Sequence, residues 1–173
     1  MPMIIPQPVQ MEQEKGSFTL RPSAEINYTG GEWAKSVAGF LAEMLRPATG
    51  FALETEEGTD GAINLVIDTT LAMNPESYLL TVEKRKVTLT RCTPAGISRG
   101  LQTIRQLFPP EIESSTVVSR VKWTMPCISI KDYPRFAWRG MHLDVSRHFF
   151  DVEFIKRYID ILAMHKMNIF HWH

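Results

Sequence analysis

Apolar residues recur at helical spacing early in the chain: Trp33, Val37, Phe40, Leu41, Met44 and Leu45. That period predicts a helix over about 31–46, stopped before Pro47 and Gly50. Upstream, Pro6, Pro8 and Pro22 punctuate the chain and leave room for an edge strand around Phe18-Thr19-Leu20. The short apolar run Ala62 to Ile67, bounded by Gly61 and Asp68, reads as a further strand. Tyr78, Leu80 and Val82 alternate with polar neighbours, as do Val87 and Leu89, so 78–83 and 87–91 read as the two arms of a hairpin. Lys84-Arg85-Lys86 lies between the arms and fits a solvated turn better than a phosphate site. Ile97, Leu101, Ile104, Leu107 and Phe108 predict a second helix over about 95–107, ended by Pro109-Pro110. A strand pair is expected near 116–130. Mixed strands and helices with a hairpin place the first 130 residues in the α+β, or mixed α/β, class.

The pattern changes at Asp132-Tyr133-Pro134-Arg135. Beyond it, Met141, Leu143 and Val145 alternate with His142, Asp144 and Ser146, a strand with one apolar and one polar face. Asp151 suits the cap of the next helix and Glu153 its first turn. Ile155, Tyr158, Ile159, Leu162 and Ala163 carry that helix to about Met167, and Asn168-Ile169-Phe170-His171-Trp172-His173 begins another strand. Strand, helix and strand form a βαβ unit, with the strands expected parallel and the crossover right-handed. Such a unit leaves sheet surface to be covered, and a (β/α)₈ barrel takes about 250 residues. The expectation is therefore two parts, 1–132 and 133–173, the second a truncated piece of a larger domain.

Composition narrows the function classes. The 173 residues carry 19 Lys+Arg against 19 Asp+Glu, which argues against nucleic acid as a partner. No apolar run reaches the roughly 20 residues a membrane-spanning helix needs. Met1-Pro2-Met3-Ile4-Ile5-Pro6 lacks the charged and apolar regions of a secretory signal. Cys92 and Cys127 are too few for a disulfide scaffold and are expected as free thiols. His171 and His173, two apart on a strand, point the same way and offer two ligands to a metal, but no third ligand is identifiable. His142 reads as a satisfied interior histidine rather than a catalyst, His148 as a packed or hydrogen-bonded loop side chain, and Trp138 and Trp172 as core residues rather than sugar platforms.

The run Arg139-Gly140-Met141-His142-Leu143-Asp144-Val145-Ser146-Arg147-His148-Phe149-Phe150 resembles the opening barrel strand of glycoside hydrolase family 20, the β-N-acetylhexosaminidases. Lys166-Met167-Asn168-Ile169-Phe170-His171-Trp172-His173 resembles the next strand of the same family. Upstream, Ala95 to Leu107 resembles the last helix of that family's accessory domain, and 78–82 with 87–90 resemble its strands. The resemblance implies an accessory sheet with helices packed on one side, followed by the first βαβ unit of a truncated (β/α)₈ barrel.

It also implies a chemistry. Family members remove a terminal β-linked N-acetylglucosamine or N-acetylgalactosamine with retention, the substrate's own acetamido oxygen attacking the anomeric carbon. A Glu serves as acid and then base, and a neighbouring Asp orients the acetamido group. No metal or organic cofactor is implied. That Asp-Glu pair is expected beyond residue 173, so no catalytic residue is assigned here and the chain alone is expected to be inactive. Arg147 matches the arginine that binds hydroxyls of the terminal sugar, a task suited to its planar fork of donors. Asp144 matches a carboxylate that holds it, and His171 and His173 match histidines near the pocket floor. The implied partner is an N-acetylhexosamine-containing glycan, and the family habit is periplasmic, extracellular or lysosomal. Two other readings stand beside this one: a non-catalytic carbohydrate-associated module, and a metal-dependent hydrolase built on His171 and His173. The uncovered faces of 135–173 lead to an expectation of self-association.

Overall fold

The computed structural model describes residues 2–68, 70 and 74–173. It divides into two compact units, 1–133 and 134–173.

Among the described residues the first unit holds seven strands: β1 (Gln10–Thr19), β2 (Ile26–Thr29), β3 (Thr55–Glu57), β4 (Ile63–Ile67), β5 (Tyr78–Val82), β6 (Val87–Arg91) and β7 (Thr124–Asp132). They form one sheet in the order β1-β7-β5-β6-β4-β2-β3. The β2, β3, β4 and β6 pairings are parallel, while β5–β6, β5–β7 and β1–β7 are antiparallel. The fold is thus mixed α/β with a core that is mostly sheet. Helix α1 (Glu32–Thr49) packs on β2, β3 and β4, helix α2 (Pro94–Leu107) packs on β5, β6 and β7, and the two helices touch each other.

The core forms where the periodicities meet. Alternation along β5 and β6 buries Leu80, Val82, Val87 and Leu89, and the helical stripes bury Leu41, Leu45, Ile97, Leu101 and Ile104. Two glycines one turn apart let α2 settle onto this surface. A Cβ at Gly100 would come 2.3 Å from Leu89 Cδ1, and one at Gly96 would come 2.4 Å from the Ser77 carbonyl. Thr93 caps the helix by accepting from the Gly96 amide at 3.4 Å, with Pro94 at its first position. Buried polar groups are tied together across elements. Tyr78 Oη donates to Asp132 Oδ2 (2.8 Å) and lies 2.6 Å from Thr103 Oγ1, joining β5, β7 and α2. Burial first, and then the Asp132 charge, raise the Tyr78 phenol far above its ordinary pKa, so it stays protonated.

Three expected elements need correction. The first helix does not stop before Pro47 but runs to Thr49. A proline this near the helix end forfeits little, and Gly50, in the left-handed region at φ 70°, closes the turn by donating to the Arg46 carbonyl at 2.8 Å. Ala48 and Thr49 are buried as a result. The expected strand pair near 116–130 is a single strand, β7. Thr116-Val117-Val118 has β-branched composition, but it is a loop held by the Val118 amide donating to the Ala48 carbonyl and by Val117 packing on Gly50. The last helix ends at Met164 and not near Met167.

The second unit is β8 (Gly140–Leu143), α3 (Val152–Met164) and β9 (Ile169–Trp172), with β8 and β9 parallel and His142 opposite His171. Asp151 caps α3 by accepting from the Phe154 amide at 2.8 Å. Arg139 and Asn168 lock the start of the pair: Arg139 Nε donates to the Lys166 carbonyl (2.9 Å), and the Arg139 amide donates to Asn168 Oδ1 (3.0 Å). Trp138 and Trp172 are not core residues. They are 67% and 59% exposed, Trp172 stacking on Phe170 with centroids 5.8 Å apart. A four-residue strand pair and one helix have too few neighbours to bury indole rings.

Candidate functional site

Asp144 to Arg147 follow the carboxyl end of β8, and His173 follows the carboxyl end of β9. Because the strands are parallel, both ends lie along one edge of the pair. The backbone pairing continues past the strands, with the Val145 amide donating to the His173 carbonyl (2.9 Å) and the His173 amide to the Leu143 carbonyl (3.0 Å). This extra rung fixes the two ends against each other.

Past that rung the chain turns around a carboxylate. Asp144 Oδ1 accepts from the Ser146 amide (3.0 Å), the Ser146 hydroxyl (2.9 Å) and the Arg147 amide (3.2 Å). This is an Asx-type turn, the local geometry that Asp-x-Ser favours. Asp144 Oδ2 pairs with the Arg147 guanidinium through Nε and Nη2. The Ser146 hydroxyl and then the Arg147 guanidinium hold the Asp144 carboxyl well below the usual carboxylate range, so it is an anion at neutral pH. The pair is unequal in exposure: the Asp144 side chain is 16% exposed and that of Arg147 80%. One edge of the guanidinium is anchored, and its remaining N–H groups face solvent. A planar fork held this way suits vicinal hydroxyls of a ligand.

Three imidazoles share the same face. His142 and His171 have ring centroids 4.7 Å apart, His142 and His173 6.1 Å. His173 Nδ1 lies 3.0 Å from Ser146 Oγ and 3.7 Å from Asp144 Oδ1. The geometry thus brings Asp144, Arg147 and His173 together, with His171 one strand position away beside His142. His148 is exposed and apart from this network. Among the described residues no three His, Cys, Asp or Glu side chains assemble a metal site, so the two-histidine metal reading gains no third ligand. Cys92 and Cys127 are both free.

Ser146 was not singled out by sequence reasoning, although it joins Asp144 to His173. The signal was present in the Asp144-Val145-Ser146 spacing, where a serine two residues after an aspartate marks a turn rather than a continuing strand.

Comparison with known proteins bears on both units. Residues 1–133 match the model of glycosyl hydrolase family 20, domain 2, and residues 136–173 match that of the glycosyl hydrolase family 20 catalytic domain. The chain is 41% identical over 173 residues to a beta-hexosaminidase of Porphyromonas gingivalis, covering 98% of this chain and 22% of that protein. It is 31% identical to a beta-N-acetylhexosaminidase of Cellulomonas fimi, covering 98% of this chain and 34% of that one. The structure superposes on Streptomyces plicatus N-acetyl-beta-hexosaminidase in complex with Thio-NAglucal with a TM-score of 0.94 at 36% identity, covering 100% of this chain and 35% of that chain. The chain spans about a third or less of the length of these relatives.

Proposed function

Because the chain belongs to glycosyl hydrolase family 20, we propose that it is part of a β-N-acetylhexosaminidase that removes terminal β-linked N-acetylglucosamine or N-acetylgalactosamine by a retaining, substrate-assisted reaction. Residues 1–132 serve as the accessory domain, a sheet with helices packed on one side. Residues 133–173 begin the catalytic (β/α)₈ barrel, with β8 as its first strand and β9 as its second. Arg147 binds hydroxyls of the terminal sugar, Asp144 orients it, and His171 and His173 line the nearby pocket floor.

The observation that carries this reading is the position of the Asp144–Arg147 pair at the carboxyl end of a strand in a parallel pair. Barrel enzymes build their sites from the loops at that end. A guanidinium anchored by a carboxylate and open along its other edge fits the reading, because hydroxyl recognition needs fixed donors. The resemblance supplies the rest of the mechanism: a Glu protonates the leaving oxygen, and an Asp stabilises the positive charge that develops as the acetamido group cyclises.

The test is hydrolysis of a chromogenic β-N-acetylglucosaminide by two proteins: the 173-residue chain, and a longer chain that adds the rest of a family 20 catalytic domain after His173. The expected result is turnover by the longer protein alone. Turnover by the short chain would relocate the acid and base to Asp144 and the histidines. Turnover by neither would favour a non-catalytic module.

Exposed Trp138, Phe149, Val152 and Trp172 on residues 134–173 support self-association of the isolated chain. Sedimentation velocity should show a mass that rises with concentration; a strictly monomeric chain over the accessible range would refute this.

A further inference from the structure

A serine hydroxyl carries one proton. The Asp144 carboxylate accepts only, and Ser146 Oγ lies 2.9 Å from its Oδ1, so the hydroxyl proton is spent there. Ser146 Oγ also lies 3.0 Å from His173 Nδ1. With its proton committed, the hydroxyl can only accept from that nitrogen, so Nδ1 carries a hydrogen. The direct distance from His173 Nδ1 to Asp144 Oδ1, 3.7 Å, is too long for a hydrogen bond, so the serine is the link. The chain of donors then runs in one direction, from His173 Nδ1–H to Ser146 Oγ–H to Asp144 Oδ1, with Asp144 Oδ2 left for Arg147.

We propose that Ser146 and His173 are positioning residues for Arg147: a relay from β9 fixes the Asp144 carboxylate and, through it, the guanidinium, and holds neutral His173 as its Nδ1–H tautomer. The tautomer of a histidine is set by the bond its other nitrogen makes. Neutral His173 then carries its lone pair on Nε2, in a ring whose centroid lies 6.1 Å from that of His142. The relay ties the loop after β8 to the end of β9 by side chains, in addition to the backbone rung of Val145 and His173. Its functional meaning rests on the sugar-binding reading of Arg147, whereas its existence does not.

The experiment uses the 173-residue chain labelled with ¹⁵N in histidine and arginine. Ring nitrogen shifts of His173 are recorded where the imidazole is neutral, together with the Arg147 Nε–Hε signal. The expected result is Nδ1 in the protonated range, Nε2 in the unprotonated range, and an Arg147 Nε–Hε signal protected from exchange. Ser146→Ala should invert the His173 pattern to Nε2–H and lose the Arg147 protection. Ser146→Thr, which keeps the hydroxyl, should restore both, and His142 and His171 should be unmoved in tautomer. Backbone amides of Leu143 and Val145 report whether the strand pair is intact in each variant. An Nε2–H tautomer in the unsubstituted chain would overturn the proposal. So would Nδ1–H retained in Ser146→Ala, which would mean that Asp144 holds the ring directly. No sugar is present in this measurement, so a failure of Arg147 to bind N-acetylglucosamine would strike the functional reading and leave the relay standing.

Discussion

Replacing Arg147 with Ala in a protein that continues through the full catalytic domain should lower kcat/KM for a β-N-acetylglucosaminide about 10²- to 10⁴-fold. Hydrogen bonds to a charged group contribute about 1.5–3 kcal/mol each, and each 1.36 kcal/mol of lost transition-state binding is roughly tenfold in rate. Two sugar hydroxyls released at once reach the stated range. KM should rise with kcat nearly unchanged, because a terminal sugar held by its hydroxyls is held in the ground state and the transition state alike. Arg147→Lys keeps the charge and loses the fork, so it should recover only a small part of the activity. The folded state should lose little, since the Arg147 side chain is 80% exposed and an exposed ion pair is worth about 0–1 kcal/mol. Steady-state kinetics beside urea unfolding separates these outcomes. Full activity in Arg147→Ala would remove Arg147 from the sugar site.

A second large effect is expected far from that site. Leu89 is fully buried at the centre of β6, and its methyl groups fill the space that Gly100 leaves on α2. Leu89→Ala deletes the contact from both sides, because a glycine cannot move a side chain in to close the gap. The loss should fall within the about 2–5 kcal/mol typical of Leu→Ala in cores, a large share of the roughly 5–15 kcal/mol that holds a domain together. The urea midpoint of the first unit, followed through buried Trp123, should drop with its slope unchanged. An unmoved midpoint would mean that α2 does not rest on β6 as the structure has it. Phe149→Ala is a useful contrast, since that ring is 90% exposed and its removal should leave the midpoint in place.

The elements legible in the sequence were those whose period survives into the fold. β5, β6 and α2 follow their apolar alternation and stripe closely, because each buries apolar residues against the core, and β8, α3 and β9 form where the pattern places them although neither β8 nor β9 has a buried residue. β2 and β3 are three or four residues long, too short for a period to emerge. Thr116 to Val118 carried strand composition into a loop because the partner that β7 needed was already supplied by β1 and β5. Pro47 ended a helix on local rules, yet the fold continued it because Ala48 had a core to enter.

The site divided along similar lines. Arg147 and Asp144 were singled out by resemblance, and nothing in their spacing alone separates a sugar ligand from a strand-end ion pair. The turn that joins them is legible in Asp144-Val145-Ser146, yet the alternation of polarity through Ser146 predicts a continuing strand, since periodicity counts side-chain polarity and not hydrogen bonds. The pairing of His142 with His171 depended on strand register, which two short strands do not encode by themselves.

The most direct test of the sugar-pocket assignment is a crystal structure of the longer protein soaked with N-acetylglucosamine. The assignment predicts the sugar at the carboxyl end of β8, with an Arg147 nitrogen about 3 Å from a ring hydroxyl and the opposite edge of the guanidinium still closed on Asp144. A sugar seated elsewhere on the barrel, with Arg147 touching only Asp144 and solvent, would contradict it.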